Sequence, residues 1–296
     1  MIIFMVLIIT GYVLSRKNIL GPEFVKGSSY LILNVFVSAS ILNSVLGERP
    51  ELSTSAFLNA FLCVFLLIIL GYALAGLCII PVKGREKKAQ LEILMSVTNT
   101  LFVGLPIVSM VYGSEAVFYV GMSCVPYNLV LYSYGIWRLV SGKGEGKVRP
   151  ADMLTISLGA AVLALIIFVL NLRVPEFICE LVSTVSGGTV PLSMLVIGAS
   201  LGRISPKEAF SGLENYLVSL ERLIICPLTV YFVLSLVSSN EVLIFTCTVL
   251  AGTPVAAITT PLSIRYGYDG EKSSKSIMVS TVLSMVTIPL LIKLLF

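Results

Sequence analysis

The chain has 296 residues, of which 57% are hydrophobic and only 12% charged, and it contains no histidine. A soluble protein carries about 25% charged residues, so this composition excludes a soluble domain, a disordered chain and a disulfide scaffold and leaves a polytopic membrane protein. The missing histidine excludes Ser-His-Asp hydrolases, histidine-ligated metals and histidine proton relays, and a dispersed net charge of +4 argues against nucleic acid as a partner.

A helix needs about 20 apolar residues to cross a bilayer. In chain order the sequence predicts ten such runs, at 1–15, 28–46, 55–80, 91–112, 115–137, 151–170, 178–202, 215–238, 242–264 and 276–296. Arg16 and Lys17 follow the first run, the reverse of a signal peptide, so this run reads as a span that starts outside. Seventeen of the 20 basic residues fall in or beside the odd-numbered connections. The positive-inside rule makes those connections cytoplasmic and both termini extracytoplasmic, in the plasma (inner) membrane. Lys83 to Lys88 reads as part of this topology signal rather than a lipid site. The six cysteines lie in apolar runs without a CxxC pair and read as packing residues. No cofactor or metal is expected.

The polar, glycine-rich stretch Ser141–Pro150 reads as a cytoplasmic linker between residues 1–140 and 151–296. Five spans precede it and five follow, so the two halves cross in opposite senses, as in inverted-repeat transporters. The fourth run contains Thr98-Asn-Thr-Leu-Phe-Val-Gly104-Leu-Pro106, then Tyr112-Gly113. The ninth contains Gly252-Thr-Pro254, then Tyr266-Gly267. Proline lacks an N–H and suits the start of a helix. Gly104-Leu105-Pro106 and Thr253-Pro254 therefore predict a break followed by a fresh half-helix, with Thr253 as its N-cap. Two half-helix N-termini converging at mid-membrane would attract an anion.

No charged residue lies between Ile93 and Tyr112 or between Val242 and Ile264. A carboxylate-driven antiporter needs acids there. Glu221 and Arg222, in the cytoplasmic third of the eighth run, read as structural, pairing locally or snorkelling. Gly198 and Gly202 read as helix packing. Neutral polar residues remain as site candidates: Asn99, Thr100, Asn128 and Ser200.

Taken in order, these fragments resemble the auxin efflux carrier family. Gly11-Tyr12 with Arg16 to Leu20 is similar to its first span and loop. Asn99 through Pro106 with Tyr112-Gly113 resembles its fourth, and Asn128, Tyr132 and Gly135 its fifth. Pro191 with Gly198 resembles its seventh span, and Arg222 with Pro227 its eighth. Pro254 through Asp269 and Ser280 through Pro289 resemble its ninth and tenth. The resemblance implies an all-α membrane fold of ten helices in two inverted five-helix repeats. It implies broken fourth and ninth helices crossing at mid-membrane and transport of organic anions such as auxin or dicarboxylates. It places Asn99, Gly104, Pro106, Asn128 and Pro254 at or near the substrate, and the polar residues of the two breaks add Thr100 and Thr253 as substrate-binding candidates. A short central loop fits a bacterial-type member. Ser38-Ala39-Ser40 stands where the family often has a proline, a departure that bears on the shape of the second span.

The expected activity is secondary or facilitative transport of auxin-like compounds or mono- and dicarboxylates such as malate or malonate. The direction is export, by alternating access, with one bundle rocking against another. The partners are a small organic anion and membrane lipid, and a homodimer is allowed. A sodium-coupled symporter is the alternative on the same architecture, and a channel is a further rival. An enzyme is disfavoured, since the two aspartates, Asp152 and Asp269, lie far apart along the chain.

Overall fold

The computed structural model describes residues 2–46, 54–143, 156–203 and 212–296. Among these residues every regular element is helical. Two-residue pairing occurs as one isolated antiparallel bridge, between Thr98 and Val255.

The helices run in order as α1 (Ile2–Arg16), α2 (Pro22–Leu46), α3 (Thr54–Cys78), α4 (Arg85–Ser96), α5 (Thr100–Lys143) and α6 (Ile156–Val169), then α7 (Glu176–Ser186) and α8 (Thr189–Leu201). They continue as α9 (Leu213–Val237), α10 (Glu241–Ala251), α11 (Thr259–Arg265) and α12 (Gly270–Leu295). Six stretches of the described chain are long and apolar enough to cross a membrane: α2, α3, α5, the α7–α8 stretch, α9 and α12. Shorter apolar helices stand in the first, sixth and ninth predicted runs. Many large apolar side chains are exposed, Phe177, Leu213, Leu236 and Leu294 among them. In water such a surface would aggregate, whereas against lipid it is solvated.

Helix α5 spans 44 residues and covers the end of the fourth predicted run and all of the fifth. It is not continuous: Gly113 has φ +60° and ψ −139°, outside helical values, and turns the chain there. The described part of α5 ends at Lys143, and residues 144–150 of the expected linker lie outside the described residues. Wider π-turns occur at Thr100–Gly104 and Glu221–Ile225. Each comes just before a proline, Pro106 or Pro227, whose ring would strike the carbonyl four residues back in a regular α-turn.

The chain packs as two compact units. The first comprises Met1–Ser53, Leu101–Val125 and Thr155–Ser205, and the second Thr54–Thr100, Pro126–Leu154 and Pro206–Phe296. Each unit draws on both halves of the chain.

In the first unit α1 lies directly on α8. A Cβ built at Gly198 would stand 2.0 Å from the Ile8 carbonyl oxygen, and one at Gly11 2.2 Å from that of Leu195. The GxxxG spacing of Gly198 and Gly202 is therefore a packing seam, and Gly11 is its counterpart on α1. Ser40 on α2 hydrogen-bonds Thr189 of α8 at 2.7 Å, and Thr189 donates to the Phe36 carbonyl at 3.0 Å. The Ser38-Ala39-Ser40 segment continues the helix, buried on this face. The second unit builds its core from α3, α4, α9, α12 and the end of α5. Two clusters of buried residues, around Ile93, Leu139 and Tyr268 and around Leu94, Met95 and Val218, fill it.

Replacing Gly198 by Ala should force α1 off α8 and cost about 1–3 kcal/mol, read as a fall in thermal midpoint in detergent. Gly159→Ala on α6, where an added Cβ meets nothing within 4 Å, should leave the midpoint unchanged. Equal midpoints for both variants would contradict this packing.

Candidate functional site

In the second unit both interrupted helices stop short. α4 ends at Ser96, and Val97 turns extended, with φ −87° and ψ +105°. α10 ends at Ala251 and Gly252 follows. The two freed strands then pair with each other. The Asn99 N–H donates to the Pro254 carbonyl and the Ala256 N–H to the Val97 carbonyl, each at 3.0 Å. The two interrupted helices thus meet end to end, joined by a two-bond antiparallel bridge.

This meeting creates an electrostatic difficulty. α4 and α10 both arrive with their C-terminal ends, each carrying unpaired carbonyls and about half a negative charge. Arg222 of α9 resolves it. Its side chain is wholly buried, and every guanidinium nitrogen finds a carbonyl. Nη1 donates to Met95, Nη2 to Ala251 at 2.8 Å, and Nε to Thr253 at 3.2 Å. A planar fork of donors suits this role, for which a single ammonium is a poorer match.

Neighbouring hydroxyls satisfy the rest of the bridge. Tyr127 donates to the Thr98 carbonyl at 3.0 Å, and Ser280 accepts from the Val255 N–H at 3.1 Å. Thr98 and Thr100 pair through their hydroxyls at 2.7 Å. Irregular backbone in a membrane needs such complete pairing.

The structure brings Asn99, Thr100, Thr253 and Pro254 together at this bridge, and Asn128 follows Tyr127 in the same unit. Gly104 and Pro106 belong to the first unit and lie at the junction between the π-turn and the helix after it. The Asn99 side chain is half-buried and makes no hydrogen bond to another described residue. The Ser200 side chain lies outside the described residues.

Two local expectations need correction. The first break falls at residues 97–99, before Gly104-Leu105-Pro106, and helix resumes at Thr100 as a π-turn whose wider winding accommodates Pro106. Thr253 does not cap a new helix. Its hydroxyl donates back to the Leu250 carbonyl at 2.7 Å, closing the end of α10, and helix resumes only at Thr259. Glu221 and Arg222 are buried structural residues, as expected, though they neither hydrogen-bond each other nor snorkel. Arg222 spends its donors on the bridge, and both Glu221 oxygens are buried without a hydrogen bond. The bridge segments themselves carry no charge, yet a cation reaches them from a neighbouring helix.

The two Tyr-Gly pairs act alike. Gly113 and Gly267 both take positive φ, +60° and +76°, where a side chain would be strained. After Gly267, the Tyr268 hydroxyl donates to the Leu139 carbonyl at 2.6 Å, and burial pushes its phenol up to about 12. Nearby, Glu214 pairs with both Lys87 and Lys272, and Lys143 with Glu86. Charges at the start of α4, at the end of α5, at the start of α9 and at the start of α12 thus meet at one end of this unit.

The family profile described as "Membrane transport protein" matches residues 1–158 and 154–292. The chain belongs to this family. It is the auxin efflux carrier family that the sequence fragments resemble. An uncharacterized transporter of Methanocaldococcus jannaschii is 27% identical over 98% of this chain and 96% of its own length. An uncharacterized transporter of Methanothermobacter thermautotrophicus is 27% identical over 97% of this chain and 94% of its own. The protein is a multi-pass membrane transporter.

Sequence reasoning missed Arg222, Tyr127 and Ser280 at the bridge. Arg222 carried a signal, since a charge within an apolar span marks function or a buried partner by default. Tyr127→Phe and Ser280→Ala each remove one hydrogen bond from the transporter's bridge. Each should lower stability by about 1 kcal/mol, measured by chemical unfolding in detergent, and a variant that loses nothing would show that bond to be idle.

Proposed function

We propose that this transporter is a secondary carrier of small organic anions, mono- or dicarboxylates such as malonate or malate, working by alternating access. The observation that carries this reading is the bridge: uncharged interrupted backbone, fastened by Arg222, with the Asn99 amide left unengaged beside it. Asn99 and Thr100 would donate to a carboxylate, Asn128 would lie close by, and the bridge around Thr253 and Pro254 would give the site its floor. Gly104 and Pro106 would shape the helix leading away from it.

The reading includes ten spans in two inverted five-helix repeats, 1–140 and 151–296, joined by the linker 141–150. The two positive-φ Tyr-Gly turns and the matched breaks support this. Both termini would face outside the plasma membrane, and a negative-inside potential would favour export by about 2.3 kcal/mol per charge per 100 mV. Sodium coupling is the weaker reading. The carbonyls that would coordinate sodium at the bridge already accept from Arg222.

The test is labelled malonate and malate flux from proteoliposomes, with and without sodium, beside equilibrium binding. Saturable, sodium-independent flux is expected. Asn99→Ala should weaken binding about 10- to 100-fold, the value of one hydrogen bond to a charged group, without loss of membrane insertion. Unaltered binding in that variant would remove Asn99 from the site, and strictly sodium-dependent flux would favour the symporter.

A further inference from the structure

Glu221 precedes Arg222 in the π-turn of α9 and has no counterpart in the account so far. It is 1% exposed, and neither carboxyl oxygen has a hydrogen-bond partner. An ionised carboxylate in that position would be far more costly than a neutral acid, because no hydrogen-bond donor replaces its lost hydration. The one cation at hand is Arg222, whose three donor nitrogens are all engaged with bridge carbonyls.

The charged and titratable groups on the elements packed against this turn are few. On α9 itself they are Arg222, Cys226, Tyr216 and Tyr231, with Glu214 near its start held by Lys87 and Lys272. On α3 they are Cys78, a neighbour of Glu221, and Tyr72, a neighbour of Arg222. On α4, Lys87 and Glu86 face the charged end, and Glu92 accepts from Tyr134 at 2.6 Å and from Arg138 at 2.5 Å. On α12 they are Glu271, Lys272 and Lys275, paired among themselves and with Glu214, and Lys293 at the far end. Among the described residues none of these hydrogen-bonds Glu221, the unpartnered Tyr72 hydroxyl included.

We propose that Glu221 is a proton-binding site whose ionisation draws Arg222 away from the bridge, so that H+ is a ligand of this carrier beside its anion. With the proton on, the carboxyl makes no claim on the guanidinium and the bridge stays fastened. When the proton leaves to water, the new carboxylate competes for the same guanidinium, and the three bridge carbonyls lose their donor. The proposal regulates the site described under Proposed function and rests on that reading for its consequence in transport, though not for the proton itself.

Two measurements on purified protein test it. Infrared difference spectroscopy at neutral pH should show a protonated-carboxyl C=O band that shifts in D2O. The band should vanish in Glu221→Gln and move in Glu221→Asp. Because the folded chain holds a proton that the unfolded chain has released at neutral pH, the folded state should lose stability as pH rises. The thermal midpoint of the wild type should thus fall toward alkaline pH relative to Glu221→Gln, which keeps a neutral side chain throughout. A carboxyl band that survives in Glu221→Gln, no such band in the wild type, or midpoints of the two proteins that run parallel in pH would each overturn the proposal. Failure of malonate or malate flux alone would bear on the anion reading and leave these results untouched.

Discussion

A guanidinium buried in an apolar protein must have its donors met, and open carbonyls in a membrane must have theirs. At Arg222 the two needs cancel. Two helices end against each other with like partial charges, and α9 supplies the cation that lets them stay there. Remove it and the three carbonyls have neither water nor protein to bond. Each such orphan costs about 1–3 kcal/mol, and the convergence of two negative helix ends adds repulsion. The antiparallel bridge, the position of Asn99 and the kink at Gly252 all rest on that one side chain.

The supporting shell follows the same logic. Tyr127 and Ser280 satisfy groups that the guanidinium cannot reach. The π-turn at Glu221–Ile225, just ahead of Pro227, sets the stretch of helix from which Arg222 reaches inward. Apolar clusters on α4 and α9 then close over the pair. In the other unit no charge is needed, and glycine does the equivalent work by letting α1 and α8 touch backbone to backbone.

Much of this was legible in the chain. Runs of apolar residues located the long helices, since a span needs length and hydropathy and little else. The Tyr-Gly pairs marked two turns, and the proline-bearing fourth and ninth runs were correctly read as interrupted. The break at residues 97–99 was displaced from the expected proline because the π-turn at Thr100–Gly104 accommodates Pro106 within a helix already resumed. Thr253 looked like an N-cap because sequence shows a hydroxyl before a proline but not which way it points. Arg222 was visible as a charge in a span. Its partners were not, because Met95 lies 127 positions away and Ala251 and Thr253 about thirty. Only the fold brings those carbonyls to it.

The central claim, that Arg222 fastens the bridge, is tested most directly by amide hydrogen exchange at Asn99 and Ala256, whose N–H groups make the two bridge bonds. Arg222→Met should lower their protection by about 100-fold or more, the equivalent of three orphaned carbonyls at about 1 kcal/mol each, with Arg222→Lys intermediate and the amides of α8 unchanged. Protection at Asn99 and Ala256 as high in Arg222→Met as in the wild type would contradict the account.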